Sequence, residues 1–403
     1  MELLEPVIQP YAWGSHTAIA ELQGRSAPTP QPEAELWMGA HPSAPSGVAG
    51  PSGQATLDAV IAADPVGELG PESVARFGDR LPFLLKVLAA DKALSIQLHP
   101  SRAQAEAGFR AENERGLALG DKARNYVDDW PKPEILCALT TFEVLAGMRT
   151  VPDAAALLKE LALTELDPVA AILADADSPR VLADALTYIL AWPGADREPL
   201  VDGVVSACAR VARDGGDYAA ACAAAVRIAG EHPGDLGVIA SLLLRHSVLA
   251  PGQAVFLPAG GLHTYLHGTG VELLANSDNV VRAGLTPKHI DVPELLKLTD
   301  PAVAVPVLEP RPLGDGVSVY DSPAPEFRLY RADIGDAEVT LPGAGGPRIV
   351  LCTAGAVNLR AGAPGRYAGA LLGPGNSCFL SAADDAATAT GSGVVFIAAT
   401  GLG

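Results

Sequence analysis

The 403-residue chain is short of cysteine, of aromatic side chains and of positive charge, and it has no long apolar run. Its five cysteines, Cys137, Cys208, Cys222, Cys352 and Cys378, are odd in number, scattered, and never spaced as CxxC. That argues against a disulfide framework or a thiolate metal site, and predicts reduced, buried thiols. No stretch of ~18 uncharged apolar residues occurs, so no membrane-spanning helix is expected. The opening MELLEPVIQPYAWGS lacks the basic and apolar regions of a secretory leader, and a soluble cytoplasmic protein is the expectation. Lys and Arg number 28 against 47 Asp and Glu, a net charge of −19. Polyanions are bound by clustered cations, so neither nucleic acid nor an anionic membrane is an expected partner. A small anion remains open, because two or three local cations dominate within a screening length of ~8 to 10 Å.

What the chain does have is apolar residues, 49% of the total, spread over a length that calls for two or three domains. Up to about residue 150, runs such as ELWMGAHP (35–42), LPFLLKVLAA (81–90) and PKPEILCALTTFEVLAGMR (131–149) alternate with turns and read as strands. The polar, helix-forming SRAQAEAGFRAENERGLAL at 101–119 reads as a solvated helix. From about 152 to 245 Ala and Leu recur at helical spacing, with Pro152 suited to a first turn and Trp192-Pro193-Gly194 to a stop. Strand and turn patterns then resume. PGQAVFLPAGG (251–261) is echoed by PGNSCFLSAAD (374–384) in the frame P-G-x-x-x-F-L-x-A, a plausible repeated unit of a β-sandwich or jelly roll. Only the first copy runs on into Leu262-His263-Thr264-Tyr265.

Polar residues inside apolar strands are the candidates for chemistry. In LSIQLHP (94–100), Leu94, Ile96 and Leu98 alternate with Gln97 and His99, which share the other face because side chains two apart in a strand do so. Glu134 in KPE and His263 in GGLHTYL stand in similar runs. Each alone reads more readily as a hydrogen-bonded core group. Together they form a mixed nitrogen and oxygen set suited to a divalent ion such as Zn²⁺, which a single carboxylate leaves a good Lewis acid. His263 and His267 lie four apart, but no Glu follows His263 and the turn Pro258-Ala259-Gly260-Gly261 leads into a strand, so a helical zinc pair is set aside. After the turn Ser277-Asp278-Asn279 come Arg282 and Lys288, two cations that suit either a phosphate or an ordinary surface loop. Lys86 and Lys132 are lone charges beside apolar residues, where snorkelling is the common explanation.

The segments YAWGS, AELWMGAHP, LPFLLKVLAADKALSIQLHP, KPEILCAL, LPAGGLHTYL and SDNVVRAGLTPKHIDVPELL, in that order, make the chain resemble the type I phosphomannose isomerases. The resemblance implies a mainly β fold of two cupin-like jelly rolls plus an α-helical insertion. The catalytic jelly roll would take residues 1–150 with 246–305, the helical domain 151–245, and a second jelly roll without metal ligands 306–403. It implies one zinc ion on Gln97, His99, Glu134 and His263, and Arg282 as the essential active-site arginine. Lys132 and Glu272 fall where the family handles protons, and Lys86, Ser95, Lys288 and Trp13 where it binds substrate. One departure stands out: Pro131 precedes Lys-Pro-Glu where many bacterial members have His.

The implied reaction is the exchange of mannose 6-phosphate and fructose 6-phosphate through a cis-enediol, which needs a stabilised enediolate and a general base, Glu272 or Lys132. The expected partner is a small sugar phosphate, and a monomer is expected. Two rivals are a cupin that only binds sugar and a metal-dependent oxygenase. The oxygenase is weakened because two His, one Gln and one Glu differ from the two-His, one-carboxylate triad.

Overall fold

Strand alternation in the chain becomes two antiparallel sheets, and the Ala/Leu-rich stretch becomes a block of helices. The computed structural model describes residues 1–50, 53–175, 178, 180–288, 290–361, 369–384 and 386–402; His289 of the TPKHIDV run lies outside them. Among these residues one sheet runs in the order Val307–Leu308, Ala254–Leu257, Glu134–Ala138, His263–Ala275, Phe83–Ala90, Glu35–Met38, Val7–Gln9. The long strand His263–Ala275 is its pivot. Its C-terminal part pairs with Phe83–Ala90 and Glu134–Ala138, and its N-terminal end with Ile96–Leu98 and Phe142–Met148. The register shifts between Tyr265 and His267, where two residues advance against one on the partner. One extra residue reverses the face of every later side chain, which brings His263 and Glu272, an odd number apart, to one side.

The second sheet takes Arg311–Gly314, Val317–Tyr320, Arg328–Ile334, Ala387–Ala399, Arg348–Ala361 and Ser377–Leu380, then Glu2–Glu5 and the strands Gly47–Gly50 and Gly53–Thr56. Glu2–Glu5 pairs with Ser377–Leu380. Sheet membership therefore crosses the expected boundaries, since these early strands lie within residues 1–150. The sheets share a core: Leu36, Met38, Leu85, Val87, Val271 and Leu273 of the first meet Tyr320, Leu329, Ile349, Leu351, Phe379 and Phe396 of the second. On the opposite face of the first sheet, Leu88, Leu136 and Val255 meet Phe142, Val144 and Leu249, so its two arms close on each other around an inner face.

Helices Val151–Leu161, Asp167–Leu173, Val181–Leu190, Arg197–Asp214, Ala219–Glu231 and Gly237–Ser241 form the block. Thr150 caps the first, accepting the Asp153 N–H at 3.3 Å, with Pro152 in the first turn as expected. Their common core includes Ile96, Leu98, Val281, Ala283 and Leu285. The helical block thus packs on the back of two short strands, Ile96–Leu98 and Val281–Gly284, whose Gln97 and Arg282 alternate away from it. The helix Arg102–Glu114 starts just past His99 with a capping box between Ser101 and Gln104. Among the described residues no helix is long and apolar enough to cross a membrane.

Candidate active site

Glu134 opens its strand and is 2% exposed, and His99, just past the strand Ile96–Leu98, and His263, at the start of the pivot strand, are each 1% exposed. One ligand atom from each lies within 4.8 Å of the others. His99 Nε2 is 3.2 Å from Glu134 Oε1, and His263 Nε2 is 3.6 Å from Oε2. The far nitrogens fix the tautomers: His99 Nδ1 is 2.7 Å from the Asn279 carbonyl and His263 Nδ1 is 3.0 Å from the Gly261 carbonyl. A carbonyl only accepts, so Nδ1 carries the hydrogen and Nε2 keeps a lone pair. Burial, opposed by Glu134, holds His99 down to about 4, so its ring is neutral. Burial works against the Glu134 charge, but the groups facing it, the Lys132 ammonium among them, outweigh it and hold the carboxyl well below its usual range. Both Nε2 atoms and Glu134 Oε2 are buried without a hydrogen-bond partner. Buried lone pairs turned toward a carboxylate are costly unless a cation joins them. Two imidazoles and a carboxylate, each imidazole braced through its other nitrogen, fit a zinc-like divalent ion.

Beside this set the same face carries a second buried charge cluster. Lys86 Nζ lies 3.4 Å from both Glu35 Oε1 and Glu272 Oε2. The register explains it, because Lys86 stands directly opposite Trp37 on one side and Glu272 on the other. Glu35 is two residues before Trp37 on the same strand face, and accepts the Trp37 indole N–H at 2.6 Å. Burial opposes the Lys86 charge, but Glu35, Glu272 and Glu134 outweigh it and raise its affinity for the proton. Two carboxylates share this one ammonium. Burial first, with Glu134 and Glu35 adding to it against Lys86, raises Glu272 to about 7. A carboxyl titrating there suits a general base near neutral pH.

Arg282, Gln97 and His263 form one row across three strands, Arg282 opposite Gln97 and Gln97 opposite His263. Directly opposed residues project to one face, so amide and guanidinium stand on the imidazole's side. Ser95 Oγ donates to Gln97 Oε1 at 3.4 Å, which makes Ser95 a support for the amide. Lys132 Nζ is 3.2 Å from Glu134 Oε1. Burial lowers Arg282, and Arg282, with burial adding to it, lowers Lys288, so Lys288 stands in the field of the guanidinium; neither has an acidic partner among the described residues. Trp13 is half-buried and stacks on Tyr11 with ring centroids 5.8 Å apart, and Tyr11 feels Glu35, Lys86 and Asp278. Pro131 is buried and offers no side-chain donor or acceptor.

Sequence reasoning passed over Glu35, Trp37, Tyr11, His41 and Asn279. His41 Nε2 lies 3.3 Å from Asp278 Oδ1, with its ring edge-on to Trp37. A carboxylate alternating with Trp in the wholly buried strand Glu35–Met38 was an available signal. Asn279 gave none, since Ser-Asp-Asn reads as a turn.

Residues 1–151 match the family described as phosphomannose isomerase type I, catalytic domain. Mannose-6-phosphate isomerase of Escherichia coli K12 is 36% identical over 397 residues, covering 98% of each chain. A solved mutant phosphomannose isomerase from Salmonella typhimurium superposes with a TM-score of 0.91 at 33% identity, covering 100% of both chains. A zinc-bound mannose 6-phosphate isomerase structure does so with a TM-score of 0.89 at 33% identity, covering 99% of each. With likeness this long in sequence and in backbone, the chain belongs to the type I phosphomannose isomerase family.

Proposed function

We propose that this chain interconverts mannose 6-phosphate and fructose 6-phosphate, with one zinc ion held by Gln97, His99, Glu134 and His263. The observation that carries the reading is the meeting of two buried, unpartnered Nε2 lone pairs with the Glu134 carboxylate. When bound, zinc supplies a Lewis acid that polarises the sugar's oxygens. Glu272 takes the proton from the carbon beside the carbonyl and returns it to the neighbouring carbon through a cis-enediol. Its carboxyl, raised to about 7, supports it in that role over Lys132, whose ammonium is engaged by Glu134. Lys86, locked between Glu35 and Glu272, orients the base. Arg282 stabilises the enediolate charge, and Lys288 beside it holds the phosphate. Ser95 steadies Gln97, and Trp13 borders the pocket through Tyr11. At Pro131 there is no side-chain acid, so ring opening falls to another group, to water, or to use of the free aldehyde.

The same reading divides the chain into a catalytic cupin-like jelly roll (1–150 with 246–305), a helical insertion (151–245) and a second jelly roll (306–403) without metal ligands. Glu2–Glu5 and the strands between Gly47 and Thr56 complete the second. The protein would act as a monomer in the cytoplasm on a small sugar phosphate, with neither nucleic acid nor membrane as partner. A coupled assay for fructose 6-phosphate, run with and without chelator, tests the reading. Turnover of mannose 6-phosphate should vanish with chelator and return with zinc. A zinc-loaded protein that forms no product would end the proposal in favour of a binding protein.

A further inference from the structure

Asn279 is wholly buried and has no part in the chemistry above. Its main-chain carbonyl accepts the Nδ1 hydrogen of His99 at 2.7 Å. Its side chain reaches a different segment, residues 127–130, which lead directly into Lys132 and Glu134. There Oδ1 accepts the N–H groups of Val127 and Asp128 at 2.8 and 3.3 Å. Nδ2 donates to the carbonyls of Asp128 and Trp130 at 2.8 and 2.9 Å, and faces Asp128 Oδ1 at 3.1 Å. Backbone donors on one end and carbonyls on the other fix which amide atom is oxygen. The same turn is fastened twice more, by Ser277 Oγ donating to Asp128 Oδ1 at 2.8 Å and by the Asp278 N–H donating to Oδ2 at 3.0 Å.

His99 directly follows the strand Ile96–Leu98 and Glu134 opens the strand Glu134–Ala138; these two strands do not pair with each other, although each pairs with the pivot strand His263–Ala275. Asn279 joins the two segments directly. We propose that Asn279 is a positioning residue of the metal centre. Its carbonyl holds His99 in the tautomer that frees Nε2 to ligate, and its side-chain amide sets the Glu134 segment in place against that ring. The inference rests on the zinc reading of His99, Glu134 and His263. It adds what that reading lacks, a reason for two ligands from unpaired strands to arrive at one spacing.

Asn279→Asp keeps the shape and the Oδ1 acceptor but puts an oxygen where Nδ2 faced two carbonyls and a carboxylate. The turn, and with it the carbonyl on His99, must shift. Zinc affinity of the folded apoprotein is measured by chelator competition, alongside the thermal midpoint of the zinc-free protein. Zinc should bind about 10- to 100-fold more weakly than in the parent, the range for lost outer support of a ligand. Turnover should recover substantially when zinc is in excess. A lowered midpoint with unchanged zinc affinity would mean a merely structural role and would overturn the proposal. Asn279→Ser is the second variant. Should neither fold, amide exchange in the unsubstituted protein decides: coupling is reciprocal, so zinc must slow exchange at Val127 and Asp128, and equal rates with and without zinc overturn the proposal. Failure of the underlying reading looks different. His263→Ala would then leave the zinc content of the protein unchanged, and the inference would fall with it.

Discussion

Arg282 and Glu272 both project toward the metal set, and their surroundings assign them different work. Arg282 has no acidic partner among the described residues, and its segment is held from behind by Val281 and Ala283 packed on the helices. Arg282→Ala should therefore leave zinc content intact while lowering turnover by about 10²-fold or more, the scale of losing one charge stabiliser in an active site. Metal analysis beside steady-state kinetics checks it, and near-normal turnover would remove Arg282 from the mechanism. Glu272 makes a pH prediction. With its carboxyl raised to about 7 from an ordinary 4.5, activity that needs the carboxylate rises as pH climbs through that range, and Glu272→Gln should abolish the rising limb along with most turnover. Zinc at Glu134 offsets one of the charges that raise Glu272, so it shifts the midpoint downward. The stability effect has the opposite sign. Between about 4.5 and 7 the folded state keeps a proton that the unfolded chain has released, so the contribution is full below 4.5 and is lost as pH rises through 7. Urea midpoints of the zinc-free parent should fall with rising pH relative to Glu272→Gln.

At the scale of elements, the Pro-Gly frame was the most legible feature. Both copies make the same turn, Gln253 N–H to Ala250 and Asn376 N–H to Gly373, each at 3.0 Å, with Gly252 and Gly375 at φ of 90° and 78°. Proline followed by a glycine at positive φ fills the two central positions of a type II turn. The strands Ala254–Leu257 and Ser377–Leu380 then begin at the same place in the frame, one in each sheet. LSIQLHP was legible for a related reason. Its alternation reports two environments, Ile96 and Leu98 in the helical core and Gln97 facing the site, although the sequence could not say that helices supplied the apolar side. Two things were hidden. The shift between Tyr265 and His267 leaves no mark in hydrophobic alternation, yet it decides that His263 and Glu272 share a face. The destination of Glu2–Glu5 was hidden as well, because a four-residue strand carries no sign of a partner at the other end of the chain. Glu35 is a third case: its alternation with Trp37 marks it as unusual, but the partner that gives it a role, Lys86 across a strand pair, is not displayed by a linear reading.

For the molecule as a whole, the second sheet supplies none of the proposed metal ligands and yet supplies one face of the core on which the first sheet rests. Strand Phe83–Ala90 shows the dependence: Leu85 and Val87 point into the shared core, while Lys86 between them points into the site. A loss of packing on the far sheet should therefore reach the metal centre through one strand's thickness. Phe396, 2% exposed and in that shared core, is the place to test it. Phe396→Ala removes a buried aromatic at a cost of about 3 to 5 kcal/mol. If the sheets fold as one unit, calorimetry of the variant should show a single transition at lower temperature, and zinc should raise the whole transition, by about 2.7 kcal/mol at a hundredfold excess over its dissociation constant. If instead the sheets are independent, the variant should show two transitions, with zinc moving only one. The shared core makes the first outcome the expected one, and two separated transitions would show that the catalytic sheet stands without its neighbour.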